Sequence, residues 1–253
     1  MLQEFLALNI FSFLLIFARI GAALVLLPGF SASYVTIQVR LLLALAISFI
    51  LTPVLAGSLP GLPSDLGVLA LLLISEIFIG MFFGVLGRFL LAALQIAGTM
   101  TSYFMSMANA FIRDALSEQQ SSIFANFFAT LGIVAMFAAD MHHLMIQAIA
   151  DSYSLFIPGQ PLPLGDFSQL LMRQVADSFA LGVKLASPFL VVALVYYVGL
   201  GVVGRLMPAL PVFFFGLPVQ IGVQIIVMTI SLSTIILIFL SKFEEGYGVF
   251  LAP

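Results

Sequence analysis

Long apolar segments separated by short polar or proline-rich stretches run along the whole chain. These segments lie near 5–27, 39–56, 66–107, 122–150, 170–204 and 212–241. Each comes close to, or exceeds, the roughly 20 apolar residues that a helix needs to cross a bilayer. The pattern therefore predicts an all-α membrane protein without a soluble domain. Segments 66–107 and 170–204 are longer than one span requires, which predicts helices that tilt, kink or extend beyond the bilayer.

The break near the C-terminus is the most unusual one. It reads Pro208-Ala-Leu-Pro-Val-Phe-Phe-Phe-Gly-Leu-Pro218. Proline lacks the N–H of a helical residue, so the three prolines predict an interruption of the helix, whereas the phenylalanines require apolar surroundings. Irregular backbone persists at membrane depth only where protein or a water-filled passage surrounds it. The break therefore predicts a membrane assembly.

Composition supports membrane insertion and excludes several classes of function. The 253 residues are 63% hydrophobic and 8% charged, with a mean hydropathy of +1.26, whereas soluble domains carry about 25% charged residues. The absence of cysteine excludes disulfides and thiolate metal sites. A net charge of -3 without a basic cluster argues against a nucleic-acid partner. Because membrane helices usually carry interfacial tryptophan, its absence suggests that protein covers much of the surface.

Loop charges give a first topology. Positive charges occupy one set of alternating loops and acidic residues the other: Arg40, Arg113 and Arg205 against Asp65, Asp151 and Asp166. If every segment crosses the membrane, the positive-inside rule predicts that both termini lie outside.

Several ionisable residues interrupt the apolar segments and are functional candidates, because a charge at membrane depth needs a partner or water. They are Arg19, Glu76, Arg88, Asp140, His142, His143, Asp177 and Lys184. Pairing between helices or between subunits explains them more simply than a proton relay, which requires a chain of such groups. Gly80, Gly84 and Gly87 allow a close approach of two helices and predict helix packing.

The sequence Asp140-Met-His-His143 resembles a metal or acid–base cluster at first sight. Adjacent histidines on a helix diverge by about 100°, so the spacing places only Asp140 and His143 on one face. Two ligands do not make a zinc site. We therefore expect no metal, no cofactor and a polar cluster at a helix end. The chain also contains no nucleophile or phosphate-loop motif, so an enzyme is not expected.

A stretch rich in methionine and phenylalanine precedes the polar run from Asn109 to Ser122. Methionine adapts to irregular contacts, so Met105 and Met107, beside Phe104 and Phe111, could form a deformable seal in a channel. From composition alone, a plain exposed loop is the simpler interpretation.

Several of these motifs together resemble the FliR family, called SctT or SpaR/EscT in virulence systems. The family forms part of the export gate of type III secretion systems. The similarity is carried by Phe17-Ala-Arg19-Ile-Gly21, Leu27-Pro28-Gly-Phe30, Ser75-Glu76-Ile-Phe-Ile-Gly80, His142-His143 and the C-terminal proline break. The chain departs from the family pattern at Met141, where a glycine is usual, and at Ala115, where a proline is usual.

The resemblance implies a helical hetero-oligomeric export gate in the bacterial inner membrane, within the flagellar basal body. A FliP-like part would cover about 1–168 and a FliQ-like hairpin about 169–253, in one FliR-type domain. The implied partners are FliP-type and FliQ-type subunits, FlhB, FlhA, unfolded export substrates and membrane lipid. A loop near 108–120 would plug the pore.

The same resemblance gives the candidate site residues. The plug would comprise Phe104, Met105, Met107, Asn109, Phe111, Ile112, Arg113, Asp114 and Leu116. Assembly contacts would comprise Glu76, Arg88, Asp177, Lys184, Pro208, Pro211, Phe213, Phe214, Phe215 and Pro218. The alternative function is a stand-alone secondary transporter or channel for a small solute, with its midplane site at the Pro208–Pro218 break.

Overall fold

A computed structural model describes residues 2–55, 57, 59–107, 111–113, 120–207 and 212–251. Within these ranges, the side chains of residues 2–9, 111–113, 120–121 and 212–213 are not described.

Helices account for most of the described chain and confirm the all-α class. They are α1 (Leu2–Leu26), α2 (Ile37–Leu55), α3 (Leu66–Phe104), α4 (Ile123–Ala138), α5 (Met141–Leu155), α6 (Leu164–Leu206) and α7 (Val212–Gly248). Among the described residues, α2, α3, α6 and the Phe214–Gly248 part of α7 are long and apolar enough to cross a membrane, and α4 with α5 could form one more, interrupted span.

Three of these helices are much longer than a bilayer is thick. Helices α3, α6 and α7 contain 39, 43 and 37 residues. At 1.5 Å per residue they extend over about 58, 65 and 55 Å, whereas the hydrocarbon core is about 30 Å thick. The prediction of over-long segments near 66–107 and 170–204 is therefore confirmed.

A short β-ribbon occupies part of the predicted plug region. Strands β1 (Phe111–Arg113) and β2 (Gln120–Ser122) pair antiparallel, with Phe111 opposite Ser122 and Arg113 opposite Gln120. The Ser122 side chain then caps α4 by accepting a hydrogen bond of 3.1 Å from the Ala125 N–H. The segment that composition alone predicted to be a plain exposed loop thus contains paired backbone that leads directly into a capped helix.

The apolar segment 122–150 contains two helices, which together could still form one interrupted span. It consists of α4 and α5, which separate at Ala139 and Asp140. Asp140 takes the left-handed conformation, with φ of 56°. A short polar side chain tolerates this region better than most, so Asp140 can end one helix and begin the next. Hydropathy could not detect the break because both helices are apolar.

The prediction that Pro218 interrupts the helix was wrong. Helix α7 begins at Val212 and includes Pro218, whereas Pro208 and Pro211 lie outside the described residues. Proline inside a membrane helix is tolerated where neighbouring groups support the backbone. The Tyr196 hydroxyl of α6 donates a hydrogen bond of 2.6 Å to the carbonyl of Gly216, which attaches this first part of α7 to α6.

In α6, a local side-chain hydrogen bond compensates for Pro188. Because proline has no N–H, the carbonyl of Lys184 loses its helical donor. The Ser187 hydroxyl donates to that carbonyl at 2.7 Å. Local side-chain hydrogen bonding therefore allows α6 to continue as a single helix through the proline.

The chain forms two compact units. The first contains Met1–Phe89, Asp140–Gln174 and Phe243–Pro253, and the second contains Leu90–Ala139 and Val175–Lys242. The predicted division into FliP-like and FliQ-like parts near residue 168 concerns likeness to other subunits and stays a prediction.

In the first unit, glycines allow α1 and α3 to pack closely, as predicted. A Cβ atom on Gly80 would overlap the Arg19 carbonyl, and one on Gly84 would overlap the Leu26 side chain. A Cβ atom on Gly87 would lie 2.6 Å from the Tyr247 hydroxyl, which donates a 2.8 Å hydrogen bond to the Phe83 carbonyl. Successive turns of α3 thus have no room for a side chain on this face.

The second unit uses glycine in the same way. A Cβ atom on Gly98 would overlap the carbonyl of Phe124, and one on Gly132 would overlap the Leu94 side chain. A Cβ atom on Gly182 would lie 2.9 Å from the Ala93 carbonyl. Close backbone approach is therefore a general feature of the packing within each unit.

Replacing Gly84 by alanine should destabilise the protein. The added methyl group would overlap Leu26 and lie 3.1 Å from the Ala23 carbonyl, and overpacking of this kind costs about 1–3 kcal/mol. Gly201→Ala is the matched control, because Gly201 is also helical and has nothing within 4 Å of its Cβ position. Thermal unfolding in one detergent should show a lower Tm for the first variant only. Equal Tm values for the two variants would contradict the packing role.

Candidate functional site

A buried ion pair connects two helices of the first unit. Arg19 of α1 and Glu76 of α3 both have fully buried side chains. The guanidinium binds the carboxylate in bidentate fashion, with Nε to Oε2 at 2.7 Å and Nη2 to Oε1 at 3.0 Å. This planar geometry is the strongest that the two groups can make.

The same guanidinium also binds the C-terminal end of α5. Its Nη1 donates to the Ser152 hydroxyl at 2.8 Å, and its Nη2 donates to the carbonyl of Phe156 at 3.0 Å. The central carbon lies 3.7 Å from the centroid of the Tyr153 ring, which is a cation–π geometry. One arginine therefore connects α1, α3 and the end of α5.

This arrangement decides between interpretations that the sequence left open for Glu76. The carboxylate is paired with an arginine of the same chain and has no exposed surface. Glu76 therefore pairs between helices of one subunit. Its predicted part in assembly stays a prediction.

Removing Arg19 should be strongly destabilising, because it leaves Glu76 buried without a counter-charge. Loss of one partner of a buried pair costs about 3–5 kcal/mol, whereas apolar replacement of both is often tolerated. We expect Arg19→Met to lower the Tm in detergent and Arg19→Met/Glu76→Leu to recover part of the loss. If the double variant is less stable than either single variant, the two residues are not coupled as described.

A second polar cluster lies at the base of the predicted plug, within the second unit. Gln220 of α7 donates from Nε2 to the carbonyl of Phe104, the last residue of α3, at 2.7 Å. Ser106 donates to Oε1 of Gln220 at 3.3 Å, and its hydroxyl lies 2.8 Å from the hydroxyl of Tyr197. Gln220 is almost fully buried. Side chains from α6 and α7 thus hold the point where the chain leaves α3.

The backbone leaves the helical conformation at this point. Ser106 has a φ of 58°, a conformation that most residues avoid. The N–H of Met105 donates to the carbonyl of Thr101, and the N–H of Met107 donates to the carbonyl of Ser102, each at 2.9 Å. The end of α3 is therefore a defined structure held by a side chain from α7.

The predicted plug residues differ in burial and in how much of them the structure describes. Phe104 and Met107 are half-buried, whereas Met105 is fully buried. Phe111, Ile112 and Arg113 form β1, and their side chains are not described. Asn109, Asp114 and Leu116 lie outside the described residues. Their common role in a plug stays a prediction.

Gln220→Leu should loosen the base of this segment. The substitution removes the donor to Phe104 and the acceptor for Ser106, and one hydrogen bond contributes about 1 kcal/mol. We expect amide exchange at residues 105–107 to accelerate about fivefold in detergent. Gln224→Leu is the control, because Gln224 lies one turn later, is also buried, and donates to the Phe189 carbonyl instead. Similar acceleration in both variants would argue for general loosening of the hairpin.

The predicted assembly residues outside the buried pair lie mostly at the surface. Arg88 is exposed and donates to the Leu26 carbonyl at 3.1 Å. Asp177, Lys184, Phe214, Phe215 and Pro218 are exposed. The two phenylalanine rings contact each other edge to face, with centroids 5.7 Å apart. Pro208 and Pro211 lie outside the described residues, and the side chain of Phe213 is not described.

Large apolar faces are left uncovered by the chain itself. Only Ala44 and Ser48 of α2 are buried. Helix α6 exposes a stripe at helical spacing whose members are each more than half exposed: Val191, Leu194, Val195, Val198 and Val202. Because this part of α6 is uniformly apolar, its sequence did not indicate which face of the helix would be exposed. Lipid or other subunits must cover such surfaces.

The corner at the start of α5 brings together three potential metal ligands. The ligand atoms of Asp140, His142 and His143 all lie within 4.8 Å of one another. The expectation that His142 points away was wrong. Asp140 lies outside the helix in the left-handed conformation, so helical spacing does not apply to it, and the two imidazole centroids are only 4.1 Å apart.

Comparison with known proteins decides the family. Residues 10–246 match the model of the family described as "Bacterial export proteins, family 1". The chain belongs to this family. A match of this extent includes both clusters described above and the segment between α3 and α4.

Individual relatives agree with the family match. The chain is similar to the flagellar biosynthetic protein FliR of Caulobacter vibrioides, with 33% identity over 96% of this chain and 97% of the relative. It is 28% identical to FliR of Bacillus subtilis, over 92% of this chain and 90% of the relative. FliR of Escherichia coli is also 28% identical, over 83% of this chain and 80% of the relative. The resemblance to the FliR family is confirmed, and the chain is a flagellar export component with several membrane-spanning helices.

Proposed function

We propose that this chain is a structural and gating subunit of the flagellar protein export gate. It would assemble with FliP-type and FliQ-type subunits into a closed pore in the inner membrane, through which unfolded flagellar proteins pass. FlhB and FlhA would engage this assembly. The observation that carries the proposal is the anchored segment between α3 and α4, in a chain that belongs to the FliR family.

The gating part of the proposal rests on how this segment is held. Ser106, Tyr197 and Gln220 fix its first end, and the Ser122 cap fixes its second end. Such anchors would hold both ends of the segment in position. Apolar side chains near the apex would fill the pore, and an incoming substrate would push them aside.

The assembly part of the proposal rests on the uncovered apolar surface. Helices α3, α6 and α7 are about twice as long as a bilayer is thick, so lipid cannot cover their whole length. The absence of tryptophan also argues against a mainly lipid-facing surface. Partner subunits with apolar faces would cover the stripe on α6 and the exposed Phe214 and Phe215.

A stand-alone transporter is less well supported by the fold. Its proposed midplane site required an unwound segment from Pro208 to Pro218. Helix α7 already begins at Val212, which leaves little irregular backbone to form such a site.

Deleting residues 110–116 should make the gate leak. We expect faster entry of a small, normally excluded dye into cells that produce this variant with its partner subunits, because the deletion removes the pore-filling side chains. A second variant replaces the same residues by a Gly-Ser linker of equal length. It should leak as well if apolar filling, rather than loop length, closes the pore.

Both variants must first be shown to co-purify with FliP-type and FliQ-type subunits. Dye entry at the wild-type rate in an assembled complex would overturn the gating role. Failure of the wild-type chain itself to co-purify with these subunits would overturn the assembly role.

A further inference from the structure

The N-terminal corner of α5 has the composition of a transition-metal site. Its donors are one carboxylate, from Asp140, and two imidazoles, from His142 and His143. His143 Nδ1 lies 3.6 Å from Oδ1 of Asp140. Neutral imidazole and carboxylate are donors that Zn²⁺ binds at about 2.0–2.2 Å.

The conformation of Asp140 provides an independent argument. An aspartate at the beginning of a helix normally accepts a backbone hydrogen bond with its side chain. Asp140 makes no such capping bond, and its carboxylate lies near His143 Nδ1 instead. The side chain is therefore placed for a different partner.

The distances fit an ion after small side-chain movements. The three ligand atoms lie within 4.8 Å of one another, whereas donors around a tetrahedral zinc ion are roughly 3.4 Å apart. Asp140 and His143 have side chains that are 78% and 72% exposed, so both can rotate without disturbing a core. Adjacent imidazole rings with centroids 4.1 Å apart need little further movement.

We propose that Asp140, His142 and His143 bind one divalent transition-metal ion, for which Zn²⁺ is the best match. Three protein ligands leave the fourth position of the ion for water or for a carboxylate of a neighbouring subunit. The bound ion would fix the left-handed turn that separates α4 from α5. This inference stands independently of the gating proposal, because it depends only on residues 140–143.

The two histidines of this sequence make a direct test possible. Protein purified without a histidine tag and stripped with chelator should take up one Zn²⁺ per chain in competition with a chromophoric chelator. With ¹⁵N-labelled histidine, both imidazole signals should shift and saturate at one equivalent of Zn²⁺. Zinc should also raise the Tm, since an ion that binds only the folded state stabilises it.

Variants separate a built site from loose binding to histidine. We expect His142→Ala, His143→Ala and Asp140→Asn each to weaken zinc affinity at least about tenfold, because loss of even an indirect partner of a metal ligand has that effect. Asp151→Asn is the matched control, since it removes a carboxylate from the same helix outside the cluster. Because Asp140 and His143 are exposed, their variants should fold as the control does.

The proposal is overturned if zinc uptake does not saturate at one Zn²⁺ per chain. It is also overturned if Asp140→Asn binds zinc as tightly as Asp151→Asn, since the histidines alone would then account for the uptake.

Discussion

The buried bond between Arg19 and Glu76 is the interaction on which the first unit depends. A charge without water around it must be compensated, and the guanidinium meets this demand with a carboxylate from α3 and two oxygen acceptors from the end of α5. The glycines of α3 are the steric counterpart of this bond, because they let α1 approach closely enough for the pair to form. Electrostatic and steric requirements thus select the same arrangement of helices.

The second unit is held by uncharged polar groups where the first uses an ion pair. Gln220 and Gln224 reach from α7 to the carbonyls of Phe104 and Phe189, and each is buried in otherwise apolar sequence. An amide in apolar surroundings is costly unless it is bonded, so each defines the position of α7 strongly. One of these bonds fixes the start of the segment between α3 and α4, which links packing to the proposed gate.

What the subunit leaves uncovered is as informative as what it buries. Helix α2 buries only two residues, and the exposed stripe on α6 has the spacing of a contact face. Such a chain completes its packing only with lipid or with other subunits. This incompleteness is consistent with a family of export components.

The sequence by itself determined the helical class, the over-long helices, the close glycine packing and the family, because each follows from local composition or from a run of neighbouring residues. It did not reveal the separation of α4 from α5, the continuation of α7 through Pro218, or the partners of Glu76 and Gln220. The partners of Glu76 and Gln220 are groups that are distant along the chain, Arg19 and Phe104. The same limit applies to the corner at Asp140, where one left-handed residue changed which side chains meet. Only the tertiary structure decided the partners of Glu76 and Gln220, since hydrogen-bond and charge compensation in a dry interior is a property of the assembled helices.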